Sequence, residues 1–314
     1  MKIRLSAGIA CPALIALAFW FVSESRAGEY GGSYLRLPLG VEAMGQGGAY
    51  TASASGVGAA WWNPARLAGG GSQSILLEIA NRSLGRSQKA AGYYRPLPGG
   101  AGVGLVWLNG TVGDIDGRDR NGEPTEAFSS SENSFLFAFG LAPHPNFRAG
   151  LAVKSFYHRL ASEGKATGVG FDFGVDFRAG EYFSAAFVVQ DMAASVNWDT
   201  GDLWGEGLES QMDKVDRYPL TYRTGIALTP PDGPTTLAIE RRWGPDIKGR
   251  WHLGVSHRFD DSLVLRVGLV GKRVAAGGSL RREIFGRGFI FGCAWYPDEF
   301  DIRSVWTVGL NLEL

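Results

Sequence analysis

The chain of 314 residues has two cysteines, four histidines, a formal net charge of +0 and no long apolar run beyond its beginning. Each shortage removes a class of function. Cys11 falls inside the apolar stretch at the start, too early for a lipoprotein acceptor, which leaves Cys293 alone: no intramolecular disulfide and no thiolate metal site follow. His252 and His257 are five apart on a strand-like pattern and face opposite sides, His144 falls in a turn, and His158 ends a strand pattern alone. The sequence brings no Ser/His/acid set together, so no catalytic residue, metal or cofactor is expected. Electroneutrality offers nothing to a phosphate backbone, and nucleic acid drops out as a partner. After residue 27 no run approaches the roughly 18 apolar residues of a membrane helix.

The first 27 residues read as an export signal: Lys2 and Arg4 open it, an apolar core runs from Gly8 to Val22, and Ser25-Arg26-Ala27 supplies small residues at the cleavage positions. The mature chain is expected to begin at Gly28. An exported chain without a membrane helix is either soluble beyond the inner membrane or a transmembrane barrel.

Glycine, at 46 residues, and aromatics, at 12%, are abundant, a composition that disfavours helix. From about residue 74 to 314 the dominant pattern is alternation. In GVGFDFGVDFR, Val169, Phe171, Phe173, Val175 and Phe177 share one face, opposite Gly168, Gly170, Asp172, Gly174 and Asp176. Phe135, Phe137, Phe139 and Leu141 likewise oppose Leu136, Ala138 and Gly140. About fourteen such segments follow one another, most about 8 to 12 residues long, the length of a tilted strand crossing a bilayer. Tight turns (PLPGG, PHPN, AGE, PPDGP, DD) alternate with longer polar loops, above all 110–132 and 192–219, as on the two rims of a bacterial outer-membrane barrel. The fold class expected is therefore an all-β transmembrane antiparallel barrel of about fourteen strands over residues 74–314. Ordinary core aromatics of a soluble β protein are the competing explanation.

Thr307, Gly309, Leu312 and Leu314 end the chain in a pattern like the terminal-strand signature read by barrel-assembly machinery, although such proteins more often end in Phe. On the small-residue face, Lys154, Asp172, Asp176, Glu240, Arg242, Arg258 and Arg266 would point into the lumen, where mutual salt bridges are the first expectation. The loop DIDGRDRNGE is a poor calcium loop: against Asp119 and Asn121, the first and twelfth ligand positions fall on Gly117 and Phe128.

Residues 28–73 show no sustained alternation, and a barrel of this size has a lumen its own side chains cannot fill. The segment is expected to enter from the periplasmic end as a plug. Its stretch AAWWNPARLAGGG has too many breakers for a helix and too much indole for a solvated loop. Pro64 and Asn63 suit a sharp bend, and Trp61 and Trp62 can fill lumen volume or line a greasy path.

The stretch YLRLPLGVEAMGQGGAYTASASGVGAAWWNPARLA resembles the N-terminal signature of the PorV/PorQ family, outer-membrane proteins related to the FadL fatty-acid transporters. Gly45, Gly47, Gly48, Ala49, Trp62, Asn63, Pro64, Ala65 and Leu67 carry the resemblance, and LAVKSFYHRLASEGKATGVGFDFGVDF and VVQDMAASVNWDTG extend it. It implies a fourteen-stranded barrel in the outer membrane with a hatch inside, whose rearrangement lets a hydrophobic small molecule leave through the wall. It implies an alternative too, because PorV-type members handle secreted proteins in type IX secretion.

Overall fold

The computed structural model describes residues 31–36, 38–82, 84–119, 121–161, 164–180, 182–199, 214–230, 233–297 and 304–314. The expected export signal, residues 1–27, lies outside them. An antiparallel meander runs through β1 (Ser74–Asn81), β2 (Arg86–Leu97), β3 (Ala101–Ile115), β4 (Phe128–His144), β5 (Phe147–Leu160), β6 (Gly164–Ala179) and β7 (Phe183–Asp199). It continues through β8 (Lys214–Arg217), β9 (Thr221–Leu228), β10 (Thr235–Gly244), β11 (Ile247–Arg258), β12 (Leu263–Val270), β13 (Arg273–Ile284), β14 (Arg287–Tyr296) and β15 (Val305–Glu313). β15 returns to β1, with Ser74 opposite Glu313 and Asn81 opposite Trp306, which closes the barrel. β8 and β9 occupy one place in the wall, β8 pairing with Ser195–Trp198 of β7 and β9 with Phe183–Gln190, so the closed barrel has 14 strand positions.

The alternation decides which face is which. On β4, Phe135 and Phe137 are 51% and 52% exposed, whereas Leu136 and Ala138 are 2% and 0% exposed. The large apolar residues face outward and the small and charged ones inward, the reverse of a soluble sheet. A continuous apolar exterior on a closed barrel is the solution for spanning hydrocarbon, where every backbone polar group must be paired within the protein.

Several expected boundaries move. β3, β4 and β7 run past the expected ends at residues 109, 133 and 191, reaching Ile115, Phe128 and Asp199. Their polar ends are strand that projects beyond the bilayer, where alternation of hydrophobicity no longer marks it. The expected loop 192–219 contains the end of β7 and β8, and β8 is separated from β9 at Tyr218-Pro219-Leu220, where Pro219 has no N–H to give a ladder. The short-turn and long-loop rims are less distinct than expected: Pro245 and Asp246 alone join β10 to β11, and Gly271 and Lys272 join β12 to β13.

β7 carries a further irregularity. Phe171 of β6 faces Met192 and Phe173 faces Val189, while Val169 faces Ser195, so β7 bulges twice in succession. Asp191 and Ala193 take positive φ there, at 61° and 52°.

Candidate functional site

Residues 31–73 fold against the inward faces. The chain at Gly31 donates to the Arg217 carbonyl beside the long-loop rim, and Tyr34 lies edge-on to His158. It leaves the lumen at the opposite rim, where Gln73 accepts from the Leu314 amide and β1 begins. The segment therefore runs the length of the lumen rather than capping its periplasmic end. A short helix, Val41–Gly45, packs on β12–β15, and a second, Gly56–Trp62, on β1–β4.

AAWW thus does form helix, ending where Asn63 turns the chain into a 3-10 turn, Pro64–Gly69. Pro64 is tolerated because it opens that turn, where a missing N–H costs nothing. Asn63, fully buried, accepts from the Ala65 amide at 3.1 Å and donates to the carbonyls of Thr51 and Val175, each at 3.3 Å. It ties the bend to the segment and to the wall together.

A row of glycines makes this approach possible. Gly102, Gly140, Gly150 and Gly174 stand opposite one another across β3, β4, β5 and β6. A Cβ on Gly102 would overlap the Leu67 carbonyl, on Gly140 that of Pro64, on Gly150 the Pro64–Ala65 peptide, and on Gly174 the Asn63 side chain. The bend lies directly on strand backbone. A second floor, Gly254 opposite Gly268, receives Gln46 and Gly47. Gly47 has φ 64°, and its carbonyl accepts from His252 Nδ1 at 2.7 Å. Gly45 lies against Gly277, and Gly48 against the His252 ring.

Polar clusters hold the segment at the same level. Glu240 accepts from the amides of Tyr50 and Thr51 at 3.0 and 2.9 Å and from Arg223 at 2.7 Å. Arg223 also donates to Gln190, which donates to the Trp61 carbonyl at 2.9 Å. The two indoles each cover a wall cation: Lys154 Nζ lies 5.0 Å from the Trp61 ring centre, and the Arg223 guanidinium 4.5 Å from that of Trp62. Lys154 pairs with Asp172 at 3.0 Å and with Asp191, on the β7 bulge, at 2.6 Å.

Arg66 binds Asp176 at 2.8 Å, beside Arg148 and Ser184, and the Ala54 carbonyl at 2.7 Å. Arg266 donates to Ser279 at 2.7 Å and Glu42 at 3.1 Å. Tyr50 donates its hydroxyl to the other Glu42 oxygen.

Arg242 is buried and lies 3.5 Å from the Arg36 carbonyl, whereas Arg258 is exposed at the end of β11. In β15, Thr307 donates to the Met44 sulfur and Gly309 lies under Glu78. Leu312 is half-buried and Leu314, the last residue, is exposed.

Arg223, Gln190, Arg66, Glu42 and Asp191 were not anticipated. The first was readable: in TYRTGIAL, Arg223 alternates with the inward Thr221, Gly225 and Ala227. Asp191 was not, because a bulge shifts its parity. In the loop 116–127, the Asp119 carboxylate is taken up by the amides of Asn121 and Glu123, both at 2.8 Å.

Between the segment and β1, β14 and β15 lies a cavity of about 300 Å³, at the short-turn rim, lined among others by Glu42, Val57, Glu78, Arg258 and Asn311.

No protein-family model matches the chain, and no curated protein matches it significantly. The fold is shared with solved structures. The toluene transporter TodX of Pseudomonas putida superposes with a TM-score of 0.58 at 12% identity, over 87% of this chain and 96% of that one. The monoaromatic hydrocarbon channel CymD gives 0.56 at 11% identity, over 87% and 96%. A Pseudomonas aeruginosa FadL homologue gives 0.57 at 10% identity, over 87% and 97%. What these likenesses show is a shared fold, a closed antiparallel barrel of the outer-membrane kind.

Proposed function

We propose that this chain is a bacterial outer-membrane protein, not an enzyme, which lets hydrophobic small molecules cross passively, with residues 31–73 as a movable plug. One observation carries the reading: among the described residues the segment pairs with no strand of the wall, and apolar packing, ion pairs, single hydrogen bonds and contact on glycine hold it in the lumen. None of these contacts belongs to the hydrogen-bonded ladder that closes the wall, so the segment can shift while the barrel stays closed. The likeness to TodX, CymD and the FadL homologue supports a hydrophobic cargo. In this reading Trp61, Trp62, Asn63, Pro64 and Ala65 form the moving bend, and the charged clusters around Asp176, Glu240 and Arg266 hold the resting position. PorV/PorQ affiliation is part of the same proposal and rests on the N-terminal motif. Leu312 and Leu314 would present the terminal strand to the barrel-assembly machinery, with membrane lipid covering the exterior. Deletion of the gene should slow entry of hydrophobic compounds, and mass spectrometry of detergent-extracted protein should find lipid-like or aromatic molecules bound. Unchanged uptake together with an empty spectrum would sink the proposal.

A further inference from the structure

The cavity at the short-turn rim has a chemistry that selects among small molecules. Ser74 and Glu313, opposite each other, stand nearest the rim; Asn311 lies deeper, opposite Leu76, and Glu78 deeper still, opposite Gly309. Val57, Leu76 and Ile290 supply apolar wall. The carboxylates differ in what they already hold. Glu42 is engaged by Arg266 and Tyr50, and Glu313 by Arg281 at 2.8 Å. Glu78 is 7% exposed and accepts from the Val41 amide at 2.8 Å, and among the described residues no cation pairs with it. The Asn311 Oδ1 is buried and has no hydrogen-bond partner. Arg258 also lines the cavity, but it is exposed and keeps its charge in water.

A buried carboxylate without a cation is costly, and an unmatched amide oxygen adds to the cost. Glu78 lines a cavity whose volume is at the small end of the range for ligand sites, whereas the Asn311 oxygen is sealed behind the cavity wall. We infer that this cavity binds a small amphiphile with a primary amine head, the ammonium donating to Glu78 while the apolar body packs on Val57, Leu76 and Ile290. A carboxylate head would bring Glu78 neither a hydrogen-bond donor nor an opposite charge, so fatty-acid-like molecules are disfavoured. The inference deepens the transport reading by naming a ligand class, and rests on it for passage but not for binding.

Benzylamine, benzyl alcohol and benzoate share one ring and differ in head group, which makes them suitable probes. Calorimetric titration of the full-length protein in detergent micelles should give benzylamine affinity at least about ten-fold above benzoate, with benzyl alcohol between. Glu78→Gln should bring benzylamine down to the level of benzyl alcohol. Leu76→Trp, and independently Ile290→Trp, should abolish binding of both, with heat-modifiable gel migration reporting that each variant is folded. Benzoate binding as tightly as benzylamine, no saturable binding of any probe, or unchanged binding in both folded tryptophan variants would overturn the inference. If benzylamine binds but enters cells equally fast with and without the protein, the transport reading fails and the cavity assignment stands.

Discussion

Gly150 carries the bend of the segment on its bare backbone, so the smallest side chains there decide whether the segment seats. Gly150→Val should force Pro64 and Ala65 off the wall at a cost of about 1–3 kcal/mol. The readouts are a lower Tm and faster proteolysis within residues 31–73. Leu151→Val, one residue along on the outward face, should change neither. The alternation in the sequence identified Gly140 and Gly174 as members of a small-residue face, but not what lies on them. Their nearest partners are 76 to 111 positions away in sequence, from Gly140 and Pro64 to Gly174 and Asn63, and no local pattern encodes such a distance. Lys154, Asp172, Asp176, Glu240 and Arg266 were legible as inward-facing by parity alone, because strand periodicity survives in any sequence that must keep one face in lipid. Which charge meets which depends on register between strands, and that was not readable.

The segment's helices and turn are short, and their stability comes from the wall rather than from their own hydrogen bonds. That is why AAWWNP was misread as non-helical: helix Gly56–Trp62 has no side-chain cap and contains Gly56 and Gly58, so propensity argues against it. Burial of Val57, Ala59, Ala60, Trp61 and Trp62 outweighs that deficit. The strands were more legible, except where polarity replaced alternation beyond the bilayer or bulges shifted it in β7. The geometry offers a direct lock between segment and wall. An ideal Cβ on Gly225 lies 3.4 Å from the Ala52 Cβ, close to the separation of about 3.5–4.5 Å found in disulfides. In a Cys293→Ser background, Ala52→Cys with Gly225→Cys should oxidise readily to a crosslink. Uptake through the oxidised protein should fall and return on adding reductant. Failure to crosslink in folded protein would refute the seated segment, whereas crosslinking with undiminished uptake would refute its role as a movable gate.

The molecule as a whole is inverted relative to a soluble protein, with Phe135, Leu151, Val169 and Trp306 among the large residues facing out. Purified protein should therefore aggregate without detergent and be monodisperse with it, and an unboiled sample should migrate faster than a boiled one. A stable monomer in plain buffer would end the membrane reading. The peptide bond joining Gln73 to Ser74 has one more consequence. A segment dislodged from its glycine floors stays attached to β1, so its return is an intramolecular event, with the high effective concentration, in the millimolar range, of a short flexible tether. If the segment is the proposed gate, it re-closes without consuming fuel, and the time it spends open is set by how quickly contacts such as Glu240 with Tyr50 and Thr51 find one another again.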